Sequence, residues 1–297
     1  MGAFLNAMPG VIAQGLIWGI LAIGVYITFK VLDFADMTVD GSFSLGGATT
    51  VMAILAGFDV SIALLAGVLT AMIAGYVTGI LHTIFKIPAI LSGILTQLGL
   101  YSINMRIMGK STQAVSVDKY ALIVSIRFVN ETIVIALIFV AAVIALLYIF
   151  FGTEIGSAIR ATGCNQNMAR AQGINTGRCI RLGLVIGNGL VGLSGGLIAQ
   201  YQGFSDVNSG RGAIVIGLAA VIIGEVVFGS RHNFAFKLAT SVLGAVIYYI
   251  VIQIVLQLGL KSDYLKLLSA SIVALFMAIP AIQSYWQNGK RMIRRKS

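Results

Sequence analysis

Residues 152–178, GTEIGSAIRATGCNQNMARAQGINTGR, form a polar and basic island between two of the most apolar stretches of the chain. Glu154, Arg160, Arg170 and Arg178 fall within it, beside Thr162, Asn165, Gln166, Asn167, Gln172, Asn175 and Thr176. Hydrocarbon cannot accept such a run, since a single charged side chain at the bilayer centre costs about 2.5–3.5 kcal/mol on insertion scales. The island therefore lies in water or against another protein. It also carries helix punctuation. Asn165 suits the N-cap of a short helix over 166–172, Gly173 the C′ position that ends it, and Asn175 or Thr176 the cap of the apolar helix that follows. This spacing predicts a short helix held rigidly between two membrane spans, with its side chains free for a partner.

Outward from the island the chain is apolar. With 58% hydrophobic and 10% charged residues over 297 positions it is a polytopic membrane protein rather than an ordinary soluble domain. Runs of about 20 apolar residues are each long enough to cross a hydrocarbon core of roughly 30 Å as a helix. Their hydrophobicity is continuous rather than alternating, which excludes a barrel. The fold class is all-α, a transmembrane helical bundle of about 8–10 spans. The net charge of +10 sits at span ends and in a tail, with no basic face interleaved by aromatics, so no nucleic-acid partner is expected.

In order, spans are expected over about 10–29, 60–85, 87–105, 132–151, 180–200, 213–228, 238–258 and 265–285. Between the first two, Asp33, Asp36 and Asp40 are too many carboxylates for lipid, so the chain surfaces or lines a cavity there. The short, Gly-rich run 42–57 that follows reads as a broken or re-entrant helix, tolerated at membrane depth only where protein or water covers the backbone. Residues 106–130, which mix polar residues with a short alternating segment around 121–129, are expected to be an external loop with a small helix or strand. The organisation is a membrane domain over 1–289, with the island 152–178 as a polar loop within it, and a basic tail over 290–297. The first residues lack a basic n-region, which argues for a retained first span.

Orientation follows from Lys and Arg on the two sides. Lys30, Lys86, Arg160, Arg170, Arg178, Arg181, Arg231, Lys237, Lys290, Arg291, Arg294, Arg295 and Lys296 make thirteen on one side. Arg106, Lys110, Lys119, Arg127, Arg211, Lys261 and Lys266 make seven on the other. The richer side is expected to be cytoplasmic, with the island and C-terminus inside and the N-terminus outside, in a plasma membrane. Small residues four apart, Gly15/Gly19, Gly75/Gly79, Gly183/Gly187 and Gly192/Gly196, are read as packing positions within the bundle.

Two strings imitate nucleotide motifs without their chemistry. Gly109-Lys110-Ser111-Thr112 ends like a phosphate loop, but Asn104 stands where its first Gly is required. Leu193-Ser194-Gly195-Gly196 looks like the signature of ABC ATPases yet lies within an apolar span. Any ATP chemistry must come from another chain. His82 and His232 are far apart and Cys164 and Cys179 lack ligand spacing, so no metal site is expected. Glu225, inside an apolar span, is either a proton or substrate relay or a near-interface acid paired with Arg231 or capping a helix, and the second reading is favoured. Thr96, Gln97, Asn104, Asn188 and Gln200 are the candidates for a translocation path, each equally able to bond a neighbouring helix.

At the island the chain resembles the permease subunits of ABC importers of the branched-chain amino acid and ribose type. Gly156, Arg160, Ala161, Gly163, Asn165, Ala169, Ala171, Gly173 and Ile174 follow that family's run. Gly192 to Gly196 and Val221-Ile222-Ile223-Gly224 look like later segments of it, and Asp33-Phe34-Ala35-Asp36 with Gly41 like its N-F-A-x-G stretch. Asp33 in place of Asn, and Glu225 in place of a second Gly, point to a side branch similar to importers of tryptophan type. The resemblance implies that Arg160, Ala161, Gly163, Asn165, Asn167, Met168, Ala169, Arg170, Gln172 and Gly173 couple the chain to a cytoplasmic ABC ATPase, which would bind ATP and Mg. This chain would bind no cofactor itself. It also implies a permease homodimer, an extracellular solute-binding protein and a small solute, an amino acid and conceivably an aromatic one. The competing readings are a proton-coupled transporter using Glu225 and an ABC permease for a sugar or nucleoside.

Overall fold

The computed structural model describes residues 2–117, 119–229 and 233–257, with 267, 270, 271 and 274. Helix α1 spans Gly2–Val25 and continues as a π-helical turn, Tyr26–Val31. Next come α2 (Val39–Leu55), α3 (Val60–Thr83), α4 (Ala89–Met108) and α5 (Val129–Gly152). The island holds α6 (Glu154–Cys164) and α7 (Gln166–Ala171), followed by α8 (Thr176–Gln202), α9 (Ala213–Phe228) and α10 (Phe234–Gln257). The all-α expectation holds. Five of these elements are long and apolar enough to cross a membrane, and α2 and α9 are shorter apolar helices. Most of the span expected over 265–285, the basic tail, Arg231 and His232 lie outside the described residues.

Two helices make the centre. Helix α8 packs against α1, α2 and α3, while α1 packs against α5, α9 and α10. Close approach explains the glycines. A Cβ on Gly19 would meet Val242 of α10, one on Gly75 would meet Asn188 of α8, and one on Gly192 would meet Ala71 of α3. These spacings are intramolecular packing positions, as read. In contrast, α3, α4 and α5 turn apolar side chains outward, among them Leu69, Ile73, Leu98, Ile138, Leu146 and Ile149. That pattern suits helices whose outer faces meet lipid or another apolar surface.

The first span breaks where the carboxylates begin. After the π-turn, Asp33 adopts φ +53°, a left-handed conformation that Asp and Asn tolerate better than most residues. The chain then turns back into the bundle. Val31 and Leu32 lie against Gly163 at the island end, whereas Met37 already reaches Gly93 in α4 and α2 starts at Val39. The expected broken helix is therefore a helix that begins inside the bundle, with Phe34, Asp36 and Thr38 of its preceding loop buried and Asp33 exposed.

The small element expected in the 106–130 loop is a strand, Thr112–Ala114 (β1), paired antiparallel with Phe204–Asp206 (β2). The alternating residues 121–128 form neither strand nor helix before α5 starts at Val129. The 121–129 backbone is satisfied otherwise: Ile123 donates its N–H to Gln200 Oε1 at 3.0 Å and Ile126 to the Tyr201 carbonyl at 3.1 Å. With those partners supplied by the end of α8, no strand pairing is needed.

Candidate functional site

The island end is built from caps. Thr153 caps α6, accepting from Gly156 N–H at 3.3 Å, and Asn165 Oδ1 caps α7, accepting from Met168 N–H at 3.0 Å. Ile174 N–H donates to Ala169 O and Gly173 N–H to Arg170 O, with Gly173 at φ +80°. This is a Schellman closure, in which a left-handed residue satisfies the last carbonyls. Asn175 Oδ1 then caps α8 through Arg178 N–H at 3.1 Å. The sequence reading anticipated one helix here, and the structure has two, joined at Asn165.

The caps fix the orientation of α7. Ala169 is buried, while Gln166, Asn167, Met168, Arg170, Ala171 and Gln172 are exposed. Arg170 Nε donates to Thr176 Oγ1 at 3.0 Å, tying α7 to the start of α8. Arg160 is exposed on α6 and donates to Ser157 Oγ at 3.3 Å. Gly163 lies against the backbone of Val31 and Leu32, so its smallness serves packing onto the π-turn rather than contact with a partner.

A second polar group sits where the first span breaks. Asn188, midway along α8, donates from Nδ2 to Asp36 Oδ2 at 2.6 Å and accepts from Ser42 Oγ at 2.6 Å. Asp36 Oδ1 accepts from Thr38 N–H at 2.9 Å, just ahead of the first turn of α2. Thr38 pairs with Thr78 at 2.6 Å, and Thr78 donates to Thr96 at 2.9 Å. Four helices are thereby linked through buried hydroxyl, amide and carboxyl groups. Of the translocation-path candidates, Asn188 and Thr96 belong to this row and are fully engaged within it.

Gln97 and Asn104 instead face a cavity of about 370 Å³ between α2, α4 and the loop before α9, lined also by Asp40, Ser44, Tyr101 and Arg211. Asp40 accepts from Gly212 and Ile214 N–H, both at 3.0 Å, and so caps α9 from the start of α2. Arg211 lies over the Tyr101 ring, 5.9 Å from its centroid. Asn104 Oδ1 is buried without a hydrogen-bond partner. Gln200 stands apart, its Oε1 bound to Ile123 and its Nε2 buried unpaired. Sequence reading counted Arg211 only as a loop charge and missed Ser44 and Tyr101; Asp40 carried a signal, being read as lining a cavity.

Among the described residues Glu225 is paired, and Arg231, the partner expected for it, lies outside them. Lys30 Nζ lies 2.8 Å from Glu225 Oε2, joining the π-turn to α9. His82 Nδ1 lies 2.8 Å from the Ile87 carbonyl oxygen, with Phe34 edge-on to the imidazole ring.

Comparison with known proteins agrees with this architecture. Residues 8–280 match the family described as branched-chain amino acid transport system / permease component. The chain is 42% identical over 274 residues to the tyrosine transport system permease protein of Clostridioides difficile (strain R20291), covering 92% of this chain and 91% of that one. It is 30% identical to the uncharacterized protein RP368 of Rickettsia prowazekii (strain Madrid E), across 94% and 99% of the two chains. It is 30% identical to the autoinducer 2 import system permease protein LsrC of Yersinia pseudotuberculosis serotype O:1b (strain IP 31758), across 70% and 58%. No solved structure matches.

Proposed function

The chain belongs to the permease components of branched-chain amino acid transport systems, and from that premise we propose that it carries an amino acid across the plasma membrane, driven by a separate ATPase. The observation that carries the reading is the island: α7 is exposed along one side, capped at both ends and tied to α8 through Arg170 and Thr176. A helix held so firmly transmits displacement. Closure of an ATPase dimer against Asn167, Met168, Arg170 and Gln172 would move α8, and with it the loop that Asn188 ties to Asp36, between two access states. ATP and Mg belong to that partner, and Arg160 beside α7 supplies charge for the same contact.

The positive count at the island end supports a cytoplasmic placement for α6 and α7 and an external one for the β1–β2 end. The outward apolar faces of α3 and α4 suit a second copy of the chain, and a solute-binding protein would deliver substrate at the external end. Tyrosine is the first substrate to test, because a tyrosine transport permease covers nearly the whole chain at 42% identity. Against the proton-coupled alternative, Glu225 already has Lys30 as its counter-ion.

The test is purification of the tagged chain from its own membranes, followed by reconstitution with what accompanies it. An ATP-hydrolysing subunit is expected to co-purify, and L-tyrosine uptake is expected to need ATP and the solute-binding protein. Uptake driven by a proton gradient with no ATPase present would overturn the reading.

A further inference from the structure

The cavity between α2, α4 and the 207–211 loop holds two opposite charges that do not neutralise each other. Arg211 and Asp40 both line it, yet they are not within ion-pair distance, and Arg211 donates no side-chain hydrogen bond to any described residue. Asp40 is held by the Gly212 and Ile214 amides, so its position is fixed by the start of α9. Asn104 lines the same cavity, 1% exposed, with Oδ1 unpaired. A buried acceptor without a donor keeps its desolvation penalty uncompensated, which a bound donor would relieve.

We propose that this cavity is a binding subsite for an α-amino-acid zwitterion, with Arg211 taking the carboxylate and Asn104 Oδ1, on the side of Asp40, taking the ammonium group. The assignment rests on the amino-acid transport reading and gives it a place. A guanidinium presents paired N–H donors that match a carboxylate in bidentate fashion. An ammonium group offers three donors and no acceptor, so it suits an orphaned amide oxygen in a cavity that also holds a fixed carboxylate. A neutral sugar would leave both charges of the cavity unmatched. The volume of about 370 Å³ lies at the lower end of ligand pockets, roughly 300–1,000 Å³, and fits one amino acid rather than a peptide. Tyr101 supports the guanidinium from below, and Gln97 and Ser44 complete the polar wall. The subsite also meets the broken first span: α2, which begins within the bundle, carries Asp40 and Ser44 on its first turns.

Binding of tritiated L-tyrosine to the purified chain in lipid nanodiscs tests the assignment, with uptake by the full transporter measured in parallel. Unlabelled L-tyrosine is expected to displace the label, whereas tyramine, lacking the carboxylate, and 3-(4-hydroxyphenyl)propionate, lacking the ammonium group, are not. Arg211→Gln and Asn104→Leu are each expected to weaken binding tenfold or more, and Arg211→Lys less. Arg106→Gln, at an exposed cation outside the cavity, should bind as the parent does. Equal displacement by tyramine, or unchanged binding in Arg211→Gln and Asn104→Leu, overturns the subsite. ATP-dependent L-tyrosine uptake without binding to the nanodisc-held chain overturns the subsite and leaves the transport reading standing. No L-tyrosine uptake by the full transporter overturns the tyrosine reading itself, and the subsite's role in it.

Discussion

Asn188 Nδ2 lies 2.6 Å from Asp36 Oδ2, fastening the loop at the broken span to the middle of α8 across 152 residues of sequence. Both residues are buried, Asp36 at 1% exposure and Asn188 at 0%, so neither has water as an alternative partner.

Asn188→Leu is accordingly expected to cost about 2–3 kcal/mol, because it strands a buried carboxyl group and the Ser42 hydroxyl together. Thermal unfolding of the purified chain in detergent measures it. A stability equal to that of the parent would mean that Asp36 finds another donor, and that the row through Thr38, Thr78 and Thr96 is not a fixed unit.

The buried and exposed sides of α7 separate docking from folding. Met168→Glu places a charge on a side chain that is 51% exposed, and is expected to abolish ATPase co-purification while leaving the unfolding temperature unchanged. Ala169→Glu, one residue on, puts a carboxylate at a fully buried site and is expected to prevent stable accumulation. Quantitative pull-down beside a melting curve distinguishes the two. Retention of the ATPase by Met168→Glu would move the contact off this face.

Much of this was legible in the sequence, and the remainder has a physical reason. The island was readable because capping residues act locally: Asn165, Gly173 and Asn175 announce their turns within a few positions. Helix α6 was not, since its start depends on a single Thr153 cap and its packing on the distant π-turn. The broken span was readable as too many carboxylates, but the partners of those carboxylates were not: Asn188 and the Gly212 amide are more than 150 residues away from Asp36 and Asp40. Gln97 and Asn104 were singled out as polar residues in a span, while Arg211 was absorbed into a loop, because a sequence does not reveal which loop folds over which helix. Glu225 was read as an interface acid, and its counter-ion Lys30 lies 195 residues away.

The Lys30–Glu225 pair provides the test of proton coupling. Both side chains are partly exposed, 37% and 27%, and such pairs contribute no more than about 1 kcal/mol. Glu225→Gln is therefore expected to lower uptake by at most about fivefold, the factor that ~1 kcal/mol commands. ATP dependence should be unaltered. Complete loss of uptake, with the ATPase still bound, would assign Glu225 to the transport chemistry.

A backbone contact between α2 and α8 yields the most severe prediction. A Cβ on Gly46 would stand 2.6 Å from the Gly192 Cα and 2.7 Å from its carbonyl carbon, and backbone cannot rotate aside as a side chain can. Gly46→Val must push the helices apart, and α2 is held to α8 by Asn188 and Ser42 one turn away. Overpacking typically costs about 1–3 kcal/mol, and a collision with backbone belongs at or above the upper end. The substitution is expected to reduce membrane accumulation sharply. Gly99→Val is the control, since a Cβ there meets nothing within 4 Å and the residue stands in a helix of similar length. If Gly46→Val accumulates and unfolds as Gly99→Val does, α2 has room to shift against α8. The break at Asp36 would then be the joint about which it shifts.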